Sequence, residues 1–163
     1  MQIKKMQADH VIDFAAEELK KYLRMMMPQC DDIDILYDPY AKDGFRLGLL
    51  SDFGLIFEGE DQALDDVIHV DANRDGGILA GSNMRSILFA VYRFLRENGC
   101  RWLYPGVDGE YIPVKDISAV RYHKLADHRT RGICDEGHPS QGMMLDCIEY
   151  YAKLEMNFIS LEF

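Results

Sequence analysis

"GGILAGSNMRSILFAVYRFLRENGCRWLYPG", residues 76–106, is the stretch whose reading decides the fold. A short apolar run lies between glycines, and a long segment with apolar residues at helical spacing follows it. Met84, Ile87, Leu88, Val91, Tyr92 and Leu95 fall on one face, while Arg85, Arg93, Arg96 and Glu97 fall on or near the other. Ser82 or Asn83 suits the cap before the helix, and Gly99 suits the position after it, where glycine takes a positive φ at little steric cost. Glycine-rich corners in front of helices also bind phosphates, so the stretch offers a choice between a nucleotide turn and a structural corner.

The spacing favours the corner. A phosphate loop needs G-x-x-x-x-G-K-[ST], so that backbone N–H groups and a lysine surround the phosphates, and a dinucleotide fingerprint needs G-x-G-x-x-G. Here the glycines stand at 76, 77 and 81 with no lysine after the last. Ile78, Leu79 and Ala80 read as strand. "DVIHVDA" (66–72) precedes them across the turn sequence "NRDG", so the two runs predict a hairpin. "AGSNM" also lacks the G-x-S-x-G elbow of a nucleophilic serine.

Upstream, "QIKKM" (2–6) reads as a strand. "ADHVIDFAAEELKKYLRMMMP" (8–28) reads as a helix capped by Asp9 and stopped by Pro28, with Ile12, Ala15, Ala16, Leu19, Tyr22, Leu23 and Met26 on one face. "IDILY" (33–37) and "FRLGLL" (45–50) read as short strands. The acidic run "FEGEDQALDD" (57–66) lacks a calcium-loop pattern and reads as a solvated connection. Downstream, "EYIPV" and "AVRYH" read as extended. After residue 125 the pattern becomes strand ("HRTRGICDEG", 128–137), helix (apolar face Leu145, Ile148, Tyr151, Ala152) and strand ("NFISLEF", 157–163), a βαβ unit.

The bulk numbers exclude several classes. The chain has 163 residues, 48% of them hydrophobic, enough for a core, and a formal net charge of −10 with no block of Lys or Arg. Nucleic acid and anionic membranes need clustered positive charge, so neither is expected as a partner. No apolar run approaches the ~20 residues of a membrane helix. "MQIKKMQADH" carries no signal-peptide core, and localisation is open between the cytoplasm and export after removal of a leader. Cys30, Cys100, Cys134 and Cys147 are too scattered for a zinc ribbon and are expected as reduced, mostly buried thiols. His10, His69, His123, His128 and His138 are too dispersed for a local metal pair, and His69, inside a strand, reads as structural. No cofactor or metal is expected.

The densest set of chemical groups is "RTRGICDEGH". Arg129 and Arg131 alternate, and Asp135, Glu136 and His138 follow at the C-terminal end of the strand, with Glu162 near the corresponding end of the next. In a (β/α)8 barrel that end carries the active site, and Arg131, Asp135, Glu136, His138 and Glu162 are the candidate substrate-binding residues. No catalytic residue is assigned.

With these residues in place, residues 8–23 and 76–106 resemble the N-terminal α/β domain that precedes the barrel in β-N-acetylhexosaminidases and α-glucuronidases. The resemblance is carried by Ile78 to Gly81, Arg85, Tyr92-Arg93-Phe94-Leu95, Cys100-Arg101-Trp102 and Pro105-Gly106. Arg131-Gly132 matches the first barrel strand, and Ile148, Glu149, Ala152, Met156, Asn157 and Phe158 match the helix and second strand. In hexosaminidases the arginine of that pair contacts sugar hydroxyls, which is what the resemblance implies for Arg131. A small residue, often glycine, usually follows the arginine, and here it is Ser86; the sequence departs after Phe158, where "ISLEF" replaces a histidine-containing strand. The resemblance therefore does not name the sugar.

The expected fold is α/β (α+β-like). Residues 1–125 form an accessory domain, a mixed β-sheet with two long helices on one face, and residues 126–163 form the truncated start of a (β/α)8 barrel. The expected role is the non-catalytic leading domain of a glycoside hydrolase. Its partner is the carbohydrate substrate of the full-length enzyme, and either self-association through the truncated barrel segment or packing of that segment on the domain is expected. The competing readings are a nucleotide- or phosphate-binding domain using the Gly81-Ser82 helix start, and a protein-interaction domain.

Overall fold

A computed structural model describes residues 1–30, 32–136 and 140–162. In chain order the elements are β1 (Gln2–Lys5), α1 (His10–Met26), β2 (Asp34–Tyr37), β3 (Gly44–Leu49), β4 (Val67–Asn73), β5 (Gly76–Gly81), α2 (Met84–Glu97), β6 (Arg101–Trp102), β7 (Glu110–Tyr111), β8 (Val120–Leu125), β9 (Gly132–Glu136), α3 (Gln141–Lys153) and β10 (Phe158–Glu162). Six strands form a mixed sheet in the order β2-β1-β3-β5-β4-β8. The first four in that order run parallel, and β4 pairs antiparallel with both β5 and β8.

The expected hairpin is present, with Val70 opposite Leu79. Alternation then divides the sheet. Ile3, Phe45, Leu47, Val70 and Leu79 point to one side, where α1 and α2 pack on each other and on the sheet around the buried Tyr22, Tyr92 and Phe94. Both long helices carry the caps their sequences call for. Asp9 accepts from the Val11 N–H at 2.7 Å, and Asn83 accepts from the Ser86 N–H at 3.0 Å. Gly99 follows α2 at φ +100°. The opposite face carries a second, smaller apolar cluster of Leu50, Val67 and Ala80, with Phe53, Leu55, Phe57, Ile78 and Leu125 packed against it, beside polar residues such as His69 and Asp71.

β9 and β10 form a separate parallel pair joined by α3, with Glu162 opposite Glu136 in register. Two expectations change here. The strand begins at Gly132, so Arg129 and Arg131 precede it and do not alternate within it. Leu145 and Ile148, the expected buried face of α3, are 55% and 43% exposed, and the residues this helix buries are Cys147 and Lys153. Cys100 and Cys147 are buried and Cys30 is half-buried, but Cys134 is exposed.

Candidate functional site: a buried carboxylate joint

Ser82 ends the β5 corner and is spent on the start of β4. Its Oγ accepts from the Val67 N–H at 2.9 Å and donates to the Asp65 carbonyl at 2.6 Å. That bracing sets Asp66 beneath the first turn of α2, fully buried. Asp66 Oδ1 accepts from Ser86 Oγ (2.7 Å), Arg85 Nε (2.9 Å) and Asn83 Nδ2 (3.1 Å). Asp66 Oδ2 accepts from Arg131 Nη2 (2.7 Å) and Asn157 Nδ2 (3.0 Å). A carboxylate offers about four lone-pair sites, so this one is saturated. Burial alone would raise its pKa, and it is the largest influence; the bonds from Ser86, Arg131 and Asn83 and the charge of Arg85 together outweigh it and hold the group below the ordinary carboxylate range.

Asp65, beside it, takes Arg129 in a two-point grip, Nε to Oδ1 at 2.6 Å and Nη2 to Oδ2 at 3.1 Å. It also accepts from the Glu60 and Asp61 N–H groups, both at 2.9 Å. The Arg129 hydrogen bond, supported by those N–H groups, holds Asp65 well below the usual range. The end of the acidic run is therefore not the solvated connection its composition suggests. Adjacent Asp65 and Asp66 receive Arg129 and Arg131, so the spacing of the two arginines is matched by two acids 64 and 65 residues away in sequence.

Two further contacts bind the same segment. Glu155 pairs with Arg93 Nη2 at 2.7 Å and with Arg96, and its backbone carbonyl accepts from Arg131 Nε at 3.0 Å. Its φ of +63° is left-handed, a strained setting for a residue other than glycine that closes the turn after α3. At the last turn of α3, Lys153 donates to Glu110 Oε1 at 2.8 Å with both side chains almost fully buried. Tyr22 donates to the same oxygen at 2.6 Å, and Trp102 Nε1 donates to the Tyr22 hydroxyl at 3.1 Å. Residues 129–157 are thus held to the six-stranded unit by charge pairs at three places.

Of the candidate substrate residues, Arg131 and the group Asp135, Glu136 and Glu162 fall at opposite ends of the β9–β10 pair. Arg131 lies just before β9, at its N-terminal end, with its guanidinium directed to Asp66, Glu155 and the His128 carbonyl (2.8 Å). Asp135 and Glu136 lie at the opposite end of β9, and Glu162 is the register neighbour of Glu136 on β10. His138 lies outside the described residues. Asp66, Glu155 and Asn157 are the polar residues that the sequence reading did not single out as a site. The available signal was an Asp-Asp pair immediately before an alternating strand, together with R-x-R.

The geometry also bears on the glycine corner. A Cβ on Gly81 would stand 2.5 Å from the Ile87 nitrogen, so glycine is there to let β5 approach α2. The helix start that would attract a phosphate already holds the Asp66 carboxylate, an internal anion at the positive end of the helix dipole. Beside it, an apolar groove of about 260 Å3 runs between α2 and the α3–β10 segment, lined by Leu88, Phe89, Ile148, Tyr151, Met156 and Phe158 among others. Chemically, Asp66 is a joint: a saturated carboxylate with a depressed pKa neither supplies nor removes a proton near neutral pH. No protein-family model matches this chain, and a comparison with curated proteins finds no match.

Proposed function

We propose that the chain is the leading accessory domain of a carbohydrate-processing glycoside hydrolase, of the hexosaminidase and α-glucuronidase kind, joined to the first strand, helix and second strand of a catalytic (β/α)8 barrel. The observation that carries the reading is the β9–α3–β10 unit. Parallel strands are ordinarily covered on both faces and continued at both edges. Here, among the described residues, a two-stranded parallel sheet has no further strand beside it, and the helix above it exposes Leu145 and Ile148. Such a unit is marginal by itself and suits the start of a larger parallel array.

In this reading the α/β layer carries no chemistry. Its work is to hold the opening of the barrel through Asp65, Asp66, Arg93, Arg96 and Glu110. The carbohydrate would be met at the C-terminal ends of the barrel strands, where Asp135, Glu136, His138 and Glu162 are the residues to test. Arg131 would act from behind the strand as a positioning residue unless its Asp66 contact is exchanged for sugar. Glycoside hydrolysis needs two carboxylates flanking the bond, and those would come from later strands.

The test is the reading frame that encodes this chain. Roughly 200 or more further codons with alternating strand and helix patterns and acidic strand ends are expected, to complete a barrel of about 250 residues. A stop codon directly after Phe163 overturns the proposal. The purified 163-residue chain should leave aryl glycosides unhydrolysed. Turnover that Glu136→Gln or Glu162→Gln abolishes would contradict the non-catalytic role.

A further inference from the structure

The face of the sheet away from α1 and α2 carries a pair that neither the joint nor the barrel reading uses. β4 and β8 pair antiparallel, and their register sets His69 opposite His123. The two Nδ1 atoms stand 3.0 Å apart, with ring centroids at 5.2 Å and planes at 66°. Such a short contact needs one N–H and one lone pair, so the two rings already share a single proton between facing nitrogens. Glu58 Oε2 lies 3.9 Å from His123 Nε2, on the far side of that ring. A carboxylate there favours the proton on Nε2 and leaves the His123 Nδ1 lone pair facing His69; a cation bound between the rings replaces the shared proton, which leaves His69 Nδ1 as that ring takes its Nε2–H tautomer by exchange with solvent. The nearby charges on the same two strands, Asp71 and Arg121, face each other at 3.5 Å.

We propose that His69 and His123 form a two-imidazole site for a divalent transition-metal cation, with Glu58 orienting the His123 ring from behind. The separation selects the class of metal. With metal–nitrogen bonds of about 2.1 Å, nitrogens 3.0 Å apart subtend about 90° at the metal. That is the cis angle of square-planar and octahedral centres and is well short of tetrahedral, so the pair suits Ni(II) or Cu(II) better than Zn(II). Among the described residues no third His, Cys, Asp or Glu completes a cluster. The other coordination positions fall to water or to a small ligand, which makes the site open and exchangeable.

The test is titration of the chain with Ni(II) in a non-coordinating buffer at mildly alkaline pH. Calorimetry reads the stoichiometry, and NMR reads paramagnetic broadening of the histidine rings. One Ni(II) per chain is expected, with broadening centred on His69 and His123. His69→Gln and His123→Gln should each abolish that binding, and Glu58→Gln should weaken it by up to about tenfold, the low end for an outer-shell partner. Thermal melting of each variant checks that it folds; should one fail, the broadening map of the unaltered chain decides alone. Unchanged binding in both histidine variants, or broadening centred on His10 or His128, overturns the proposal. Tighter binding of Zn(II) than of Ni(II) overturns its geometric part.

Discussion

The six-stranded unit and the β9–α3–β10 segment are built from similar elements but held by different forces. In the first, α1 and α2 bury whole apolar faces against a sheet, and Phe45, Phe94, Leu47 and Leu79 are sealed from solvent. In the second, α3 buries Cys147 and Lys153 and rests Tyr150 and Ala152 on the core, while Leu145 is exposed and Ile148 lines an open groove. Charge does most of the directional fastening: Arg129 and Arg131 on Asp65 and Asp66, Glu155 on Arg93 and Arg96, Lys153 on Glu110. Apolar burial is non-directional and tolerates many partners, whereas a saturated buried carboxylate fixes one geometry. On the function proposed above, the difference suits a segment held in one orientation with an apolar face left open for the rest of a barrel.

The comparison breaks most severely at the core. Phe94→Ala should lower stability by about 3–5 kcal/mol, read as a fall in the urea midpoint, and both regions should unfold together. Protection of the 129–157 amides outlasting that of β3 and β5 would show the segment to be independent. Asp66→Ala comes next, at about 3 kcal/mol, the low end for removing one partner of a buried charge pair. It is placed there because the Arg85 and Arg131 side chains are 37% and 21% exposed and can recruit water. Hydrogen exchange should quicken across residues 129–157 and stay slow in α1 and β3; uniform quickening would mean that Asp66 supports the sheet and not the joint.

Acid should separate the two regions without mutation. Asp66 and Glu110 both titrate below the ordinary range. For Glu110 burial is again the largest influence and works upward, but the bonds from Lys153 and Tyr22 outweigh it. A carboxyl depressed in the folded state stabilises above its unfolded pKa of about 4, and that contribution disappears as pH falls through the folded value. Exchange in 129–157 should therefore rise first, below about pH 4. Loosening that begins near neutral pH would point to histidines instead. The smallest effect is expected from Leu145→Ser, within about 0.5 kcal/mol because the side chain is already exposed. A larger loss would mean that the outer face of α3 is covered in solution by a second copy, which sedimentation would detect.

Periodicity made the two long helices, their capping residues and the β4–β5 hairpin legible, because each depends on neighbours within a few positions. It misjudged α3: an apolar stripe states what a helix could bury and not whether a surface is there to receive it. It misjudged the acidic run for a related reason. Asp66 looks solvated by composition, and it is buried because Ser82, Asn83 and Ser86 arrive from the β5 corner and Arg131 and Asn157 arrive from far along the chain. His69 and His123, 54 residues apart, read as dispersed until strand register set them 3.0 Å apart.

By itself the sequence determined the mixed α/β character, the element types and their apolar faces, since these follow from local spacing and local sterics. Only the tertiary structure decided the strand order, which carboxylate became the joint, and which face of α3 was left open. Those outcomes depend on groups separated by tens of residues, and a buried charge is stable only where the fold delivers all of its partners at once.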